Sequence, residues 1–229
     1  MQISRRTFVG TGAAAIGALG VAAKNTNAQL VYHHDDWKFA EFDTLIKQHA
    51  RVKQLFDIHA IADGGFLNAI KNSLNGLHFG FEIPADQIKI VVAAHGPSNM
   101  LNFDDSMWTK YRLGEFLKLN DPKTGKPTTR NLYFPKGPAT STDPEDRTSI
   151  FQDTSIEALQ GRGVKFLSCH NSTQAIAREL VEQFSLKQTP EEITQDLQTH
   201  TVPGVLTVPA MVAAITLLQS EGHYTYISS

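Results

Sequence analysis

One cysteine, Cys169, is all that this 229-residue chain contains. An intramolecular disulfide is therefore excluded, and so is any Cys-x-x-Cys dithiol chemistry. No phosphate loop and no Gly-x-Gly-x-x-Gly fingerprint occurs, so nucleotide binding lacks its usual cradle and no resident cofactor is expected. Charged residues are sparse as well, at 19% of the chain, with a formal net charge of −2. Without a basic run, such a protein is a poor partner for nucleic acid. Acids are missing altogether from Met1 to Ala28, where Arg5, Arg6 and Lys24 lie. Removing that stretch leaves 18 basic residues against 23 acidic ones, a net of −5. Long, strongly apolar runs are also absent; the most extended, Val9 to Ala23, is rich in Ala and Gly. A spanning helix would want about 20 more strongly apolar residues.

What the first 28 residues do contain is ordered. Ser4-Arg5-Arg6-Thr7-Phe8-Val9 has the form of a twin-arginine motif, the weakly apolar stretch follows, and Thr26-Asn27-Ala28 offers small residues to a peptidase. The expectation is a cleaved signal over 1–28, read by the twin-arginine translocase, which exports folded proteins. The implied destination is the periplasm, with no membrane attachment after cleavage. That compartment is oxidising, so a lone thiol there stays free, pairs with another molecule or carries a modification.

The mature chain divides into an N-terminal segment, 29–50, and a domain over 51–229. In the segment, Phe39, Phe42, Leu45, Ile46 and His49 follow helical spacing. His33-His34-Asp35-Asp36 carries metal-binding groups, but adjacent residues of an extended chain point to opposite sides, and no metal site is expected there. Within the domain, apolar residues, 41% of the whole chain, are enough for a full core. Strands are predicted at Arg51 to His59, Ile88 to Ala94, Val164 to Leu167, Val205 to Val208 and Tyr224 to Ile227. Between them fall helical patterns: Phe66, Ile70, Leu74, Leu77 and Phe81 on one face; Met107 to Leu119; a helix capped by Thr154; Ser172 to Phe184; a capping box at Thr189-Pro190-Glu191-Glu192; and Pro209 to Leu218. Asn120 to Asp153, with five prolines, interrupts the pattern as an insertion expected to cover a neighbouring subunit or the strand-end crevice. Alternating strands and helices give an α/β fold, a five-stranded and mainly parallel sheet with helices on both faces.

Ligands of such sheets bind at the carboxyl ends of the strands. Those ends carry His59, then His95 with Ser98 and Asn99, then Cys169 with His170, Asn171 and Ser172. Cys169 is the candidate nucleophile, because the helix that follows it directs amides and dipole toward a thiolate. His95 and His170 are candidate bases or anion partners; Asn171, Ser172, Asn99 and His59 are candidate ligand-binding groups. The opposing possibility is that Cys169 is a small core hydrophobe.

Three blocks, Val91 to Pro97 (VVAAHGP), Gly163 to Ser172 (GVKFLSCHNS) and Val202 to Ile227, resemble the DsrE/DsrF-like sulfur-handling family in order and spacing. The resemblance covers about Arg51 to Ser229 without the insertion. It implies a flavodoxin-like three-layer sandwich, assembly into oligomers, and a Cys at position 169 that accepts sulfur as a persulfide and passes it to a partner. The expected function is thus an exported sulfur carrier or sulfurtransferase with a protein donor or acceptor. The alternatives are a periplasmic protein binding a small ligand or copper through Cys169, His95 and His170, or a non-catalytic oligomeric scaffold.

Overall fold

The computed structural model describes residues 31–134, 137 and 139–228. The expected signal, 1–28, lies outside them. Among the described residues no helix is long and apolar enough to cross a membrane.

Five parallel strands form one sheet: β1 (Val52–Ile58), β2 (Ile88–Ala94), β3 (Lys165–Cys169), β4 (Leu206–Val208) and β5 (Thr225–Ser228). Their order is β4-β3-β2-β1-β5. The chain steps outward from β1 to β4 in one direction, then returns to the far side of β1 for β5. Because crossovers are right-handed, the outward steps place their helices on one face and the return places its helix on the other. The result is an α/β three-layer sandwich, flavodoxin-like in its layers. Two apolar cores follow. One gathers Phe56, Ile58, Val92 and Phe166 under α2 (Gly65–Asn75), α3 (Asp105–Lys110), α5 (Ile156–Gly161), α6 (His170–Phe184) and α7 (Pro190–Thr199). The other gathers Leu55, Val91, Ala93, Leu167 and Cys169 under α1 (Phe39–Lys47) and α8 (Met211–Ser220). Alternate residues of each strand feed opposite cores, as the pleat requires.

Local chemistry accounts for most element ends. The Thr189 hydroxyl accepts from the Glu192 N–H at 3.2 Å while the Glu192 carboxylate accepts from the Thr189 N–H at 2.8 Å, the reciprocal box expected at the start of α7. At α5 the cap is Ser155, not Thr154: its hydroxyl accepts from the Ala158 N–H at 3.2 Å. The single helix expected over Met107 to Leu119 is two, α3 and α4 (Leu113–Phe116), because Arg112 adopts φ +53° between them. Phe81 was expected on a buried face but is 72% exposed, since α2 gives way after Asn75 to a wider turn over Gly76–Gly80 that rotates it outward. Helix α8 begins at Met211, two residues beyond Pro209.

The insertion lies on its own domain. Asn131 Nδ2 donates to the carbonyls of Leu101 at 2.7 Å and Phe103 at 3.1 Å, and the Asn131 N–H donates to Asp105 at 2.7 Å. The ring of Tyr133 lies against Gly64, in the loop after β1, and the backbone of Thr128 lies against Gly114 of α4 so closely that neither glycine has room for a Cβ.

Candidate functional site

Three strand ends meet at the carboxyl edge, and the loop after β2 ties them together. This 3-10 turn, Gly96–Asn102, buries Ser98, Asn99 and Asn102 completely. Such polar groups are buried at little cost when bonded; Asn102 Oδ1 has no partner among the described residues, but the bonds of Ser98 and Asn99 go to the site. Asn99 Oδ1 accepts from the Cys169 N–H at 2.8 Å and from the Ser168 hydroxyl at 3.0 Å. Its Nδ2 donates to Thr173 Oγ1 at 2.9 Å and toward the Cys169 carbonyl at 3.4 Å. Ser98 Oγ donates to the Ile58 carbonyl at 2.6 Å. Ser172 Oγ accepts from the Gly96 N–H at 3.0 Å. Asn99 and Ser172, expected to meet a ligand, therefore brace the backbone around the cysteine.

Cys169 ends β3 and serves as the N-cap of α6. Its Sγ accepts from two backbone N–H groups, Ser172 and Met211, each at 3.4 Å. Of the two amides after Cys169 expected to face the sulfur, that of Ser172 does so, whereas the Asn171 N–H donates instead to the Pro209 carbonyl at 3.3 Å. Met211, at the start of α8, is the donor that sequence reasoning missed, since nothing local to Cys169 announces a helix start 42 residues later. Cys169 as a whole is 4% exposed.

His95 and Cys169 each stand one residue beyond the paired positions Ala94 and Ser168, so they are neighbours on adjacent strands. Strand alternation puts His95 on the face shared by Asp57 and Cys169. His95 Nε2 bonds Asp57 Oδ1 at 2.7 Å, and His95 Nδ1 meets His59 Nδ1 at 3.2 Å. Tyr226 of β5 donates its hydroxyl to Asp57 Oδ2 at 2.6 Å. That bond, with some burial and the nearby carboxylate charge, holds the Tyr226 phenol above its ordinary value of 10.0. Asp57 and Tyr226 were not foreseen; both read as ordinary strand residues until the sheet order put β5 beside β1. Gly96, at φ +58°, lets the His59 ring lie over it, where a Cβ would come within 3.0 Å.

His170 is drawn elsewhere. Its Nδ1 accepts from Gln198 Nε2 of α7 at 2.7 Å, and its ring stacks on Tyr32 at 4.3 Å between centroids. Burial pushes its imidazole below the ordinary 6.5, with the Gln198 bond and Asp36 opposing. Among the described residues no hydrogen bond links His170 to Cys169, and no group of three or more His, Cys, Asp or Glu side chains is arranged to hold a metal ion.

A groove of about 470 Å³ opens beside this edge, lined by Gly96, Pro97, Phe116, Leu117, Ser172 and Ile176 among others. A larger hollow, about 760 Å³, lies at the opposite end of the sheet around Arg51, Val52, Lys53 and Thr225. Open α/β sheets place ligands at the carboxyl ends, which favours the smaller groove. Because β5 returns beside β1, Asp57, His59, His95 and Tyr226 come together at the carboxyl edge of β1, β2 and β5.

Compared with models of known protein families, with curated proteins and with solved structures, the chain matches none.

Proposed function

We propose that this protein is an exported sulfur carrier or sulfurtransferase in which Cys169 takes up sulfane sulfur. The observation that supports this reading most is the pair of N–H groups, from Ser172 and Met211, directed at Sγ from the starts of two helices. Donors fixed in this way stabilise charge on sulfur without having to reorganise. With thiosulfate as donor, the Cys169 thiolate attacks the outer sulfur. A bond forms between Sγ and that sulfur, its bond to the sulfonate group breaks, and sulfite leaves with the electron pair. The product is a persulfide on Cys169. Because Cys169 is buried, only 4% exposed, transfer requires local opening between the Gly96–Asn102 turn and the start of α8. A copper or other metal site built on Cys169, His95 and His170 has less support, because His170 engages Gln198 and Tyr32 instead.

The test is intact-mass analysis of the mature protein after incubation with thiosulfate or polysulfide. Gains in multiples of about 32 Da, one sulfur atom each, that vanish in Cys169→Ala support the proposal. No gain at any sulfur concentration returns Cys169 to a packing role. Export in folded form belongs to the same proposal, as does assembly into a homo-oligomer. Light scattering of the mature protein checks the second, and a mass equal to one chain overturns it.

A further inference from the structure

We propose that Asp57, His95 and His59 form a proton relay whose open end is His59 Nε2, with Tyr226 fixing the carboxylate. The heavy-atom positions constrain where the hydrogens lie. Carboxylates only accept, so the His95 Nε2 at 2.7 Å from Asp57 Oδ1 carries a hydrogen. The Tyr226 hydroxyl occupies Oδ2 and leaves Oδ1 to His95. A neutral imidazole with hydrogen on Nε2 has a bare lone pair on Nδ1. His95 Nδ1 therefore accepts in its 3.2 Å contact, and His59 Nδ1 donates. With its hydrogen on Nδ1, His59 keeps its lone pair on Nε2. His59 is exposed and His95 half-buried, so the bare nitrogen of this relay lies at its solvent end.

An added proton is governed by the same constraint. If the charge rests on His59, both its nitrogens carry hydrogen; if the bridging hydrogen moves to His95, His59 is neutral with hydrogen on Nε2. In both forms the proton has entered at His59 Nε2. Shifting the bridging hydrogen inward brings positive charge onto the ring next to Asp57, which favours the shift. A small protic ligand X–H arriving at the exposed face of His59 thus loses its proton to Nε2: the X–H bond breaks, an N–H bond forms, and X keeps the electron pair. His59 is the residue that touches the ligand; His95, Asp57 and Tyr226 are positioning residues. The relay stands whether or not Cys169 accepts sulfur.

Imidazole nitrogen shifts distinguish the two neutral tautomers directly. In long-range proton–nitrogen spectra of the mature protein with both imidazoles neutral, His59 is expected in the Nδ1–H form and His95 in the Nε2–H form. In His95→Phe, His59 loses its acceptor and is expected to revert to the Nε2–H form that free histidine prefers. Should that variant fail to fold, the wild-type spectrum alone decides. Diethylpyrocarbonate, which acylates bare imidazole nitrogens, is the second probe: His59 is expected to react ahead of His95, whose two nitrogens are both engaged. A wild-type His59 in the Nε2–H form, or His95 acylated first, overturns the relay.

Discussion

Replacing Asn99 by Ala puts the architecture of the cysteine edge to a quantitative test. Asn99 is completely buried, and its amide serves Cys169 N–H, Ser168 Oγ and Thr173 Oγ1 at 2.8, 3.0 and 2.9 Å. Truncation leaves the Cys169 N–H buried without an acceptor, which costs about 1–3 kcal/mol. The two hydroxyl bonds contribute about 1 kcal/mol each. A total loss of about 3–5 kcal/mol is expected, measured as a lower urea midpoint at unchanged slope. Thiol labelling provides a second, site-specific measure. With Cys169 4% exposed, iodoacetamide reaches it through opened states, so labelling tracks the opening equilibrium. Each 1.4 kcal/mol is tenfold in that equilibrium, which makes the expected acceleration at least about 100-fold. A loss below about 1 kcal/mol, or unchanged labelling in a clearly destabilised variant, refutes the claim that Asn99 holds the cysteine in place.

Gly114→Ala would drive a Cβ into the Thr128 backbone, which is itself fixed by the Thr128 N–H to Leu119 carbonyl bond at 2.9 Å. A loss of about 1–3 kcal/mol is expected, and an unchanged melting temperature contradicts the close seating of the insertion on α4. Burial lowers the folded His170 value below the 6.5 of an unconstrained histidine. The unfolded chain therefore binds more protons between those two values, so this contribution is intact above pH 6.5 and lost as pH falls below it. His170→Phe, which retains a ring against Tyr32, should flatten the acid side of the stability–pH curve; parallel curves refute the assignment. Changing Arg5 and Arg6 to Lys should hold the precursor in the cytoplasm, and mature periplasmic protein after that change contradicts a twin-arginine signal.

The strands of the sheet are legible in the hydrophobic pattern alone. Ile88 to Ala94 is apolar almost throughout because the strand is covered on both faces, and that is visible without any partner. The capping box at Thr189 was equally legible, since both its bonds lie within four residues. Phe81 and the broken helix at Arg112 were misread because spacing cannot report a wider turn or a left-handed residue. The site divides along the same line. Cys169, His95 and Ser172 could be found from their places after strands. Long-range packing sets the rest: Met211 meets the sulfur, Asn99 braces the backbone around it, and His170 turns to Gln198. It also decided that Asp57 and Tyr226, 169 residues apart in sequence, would share a hydrogen bond. The physical reason is the return of the chain from β4 across the sheet to β5. Hydrophobic pattern says that a strand is buried, whereas its position in the sheet depends on which crossovers close best around the whole core.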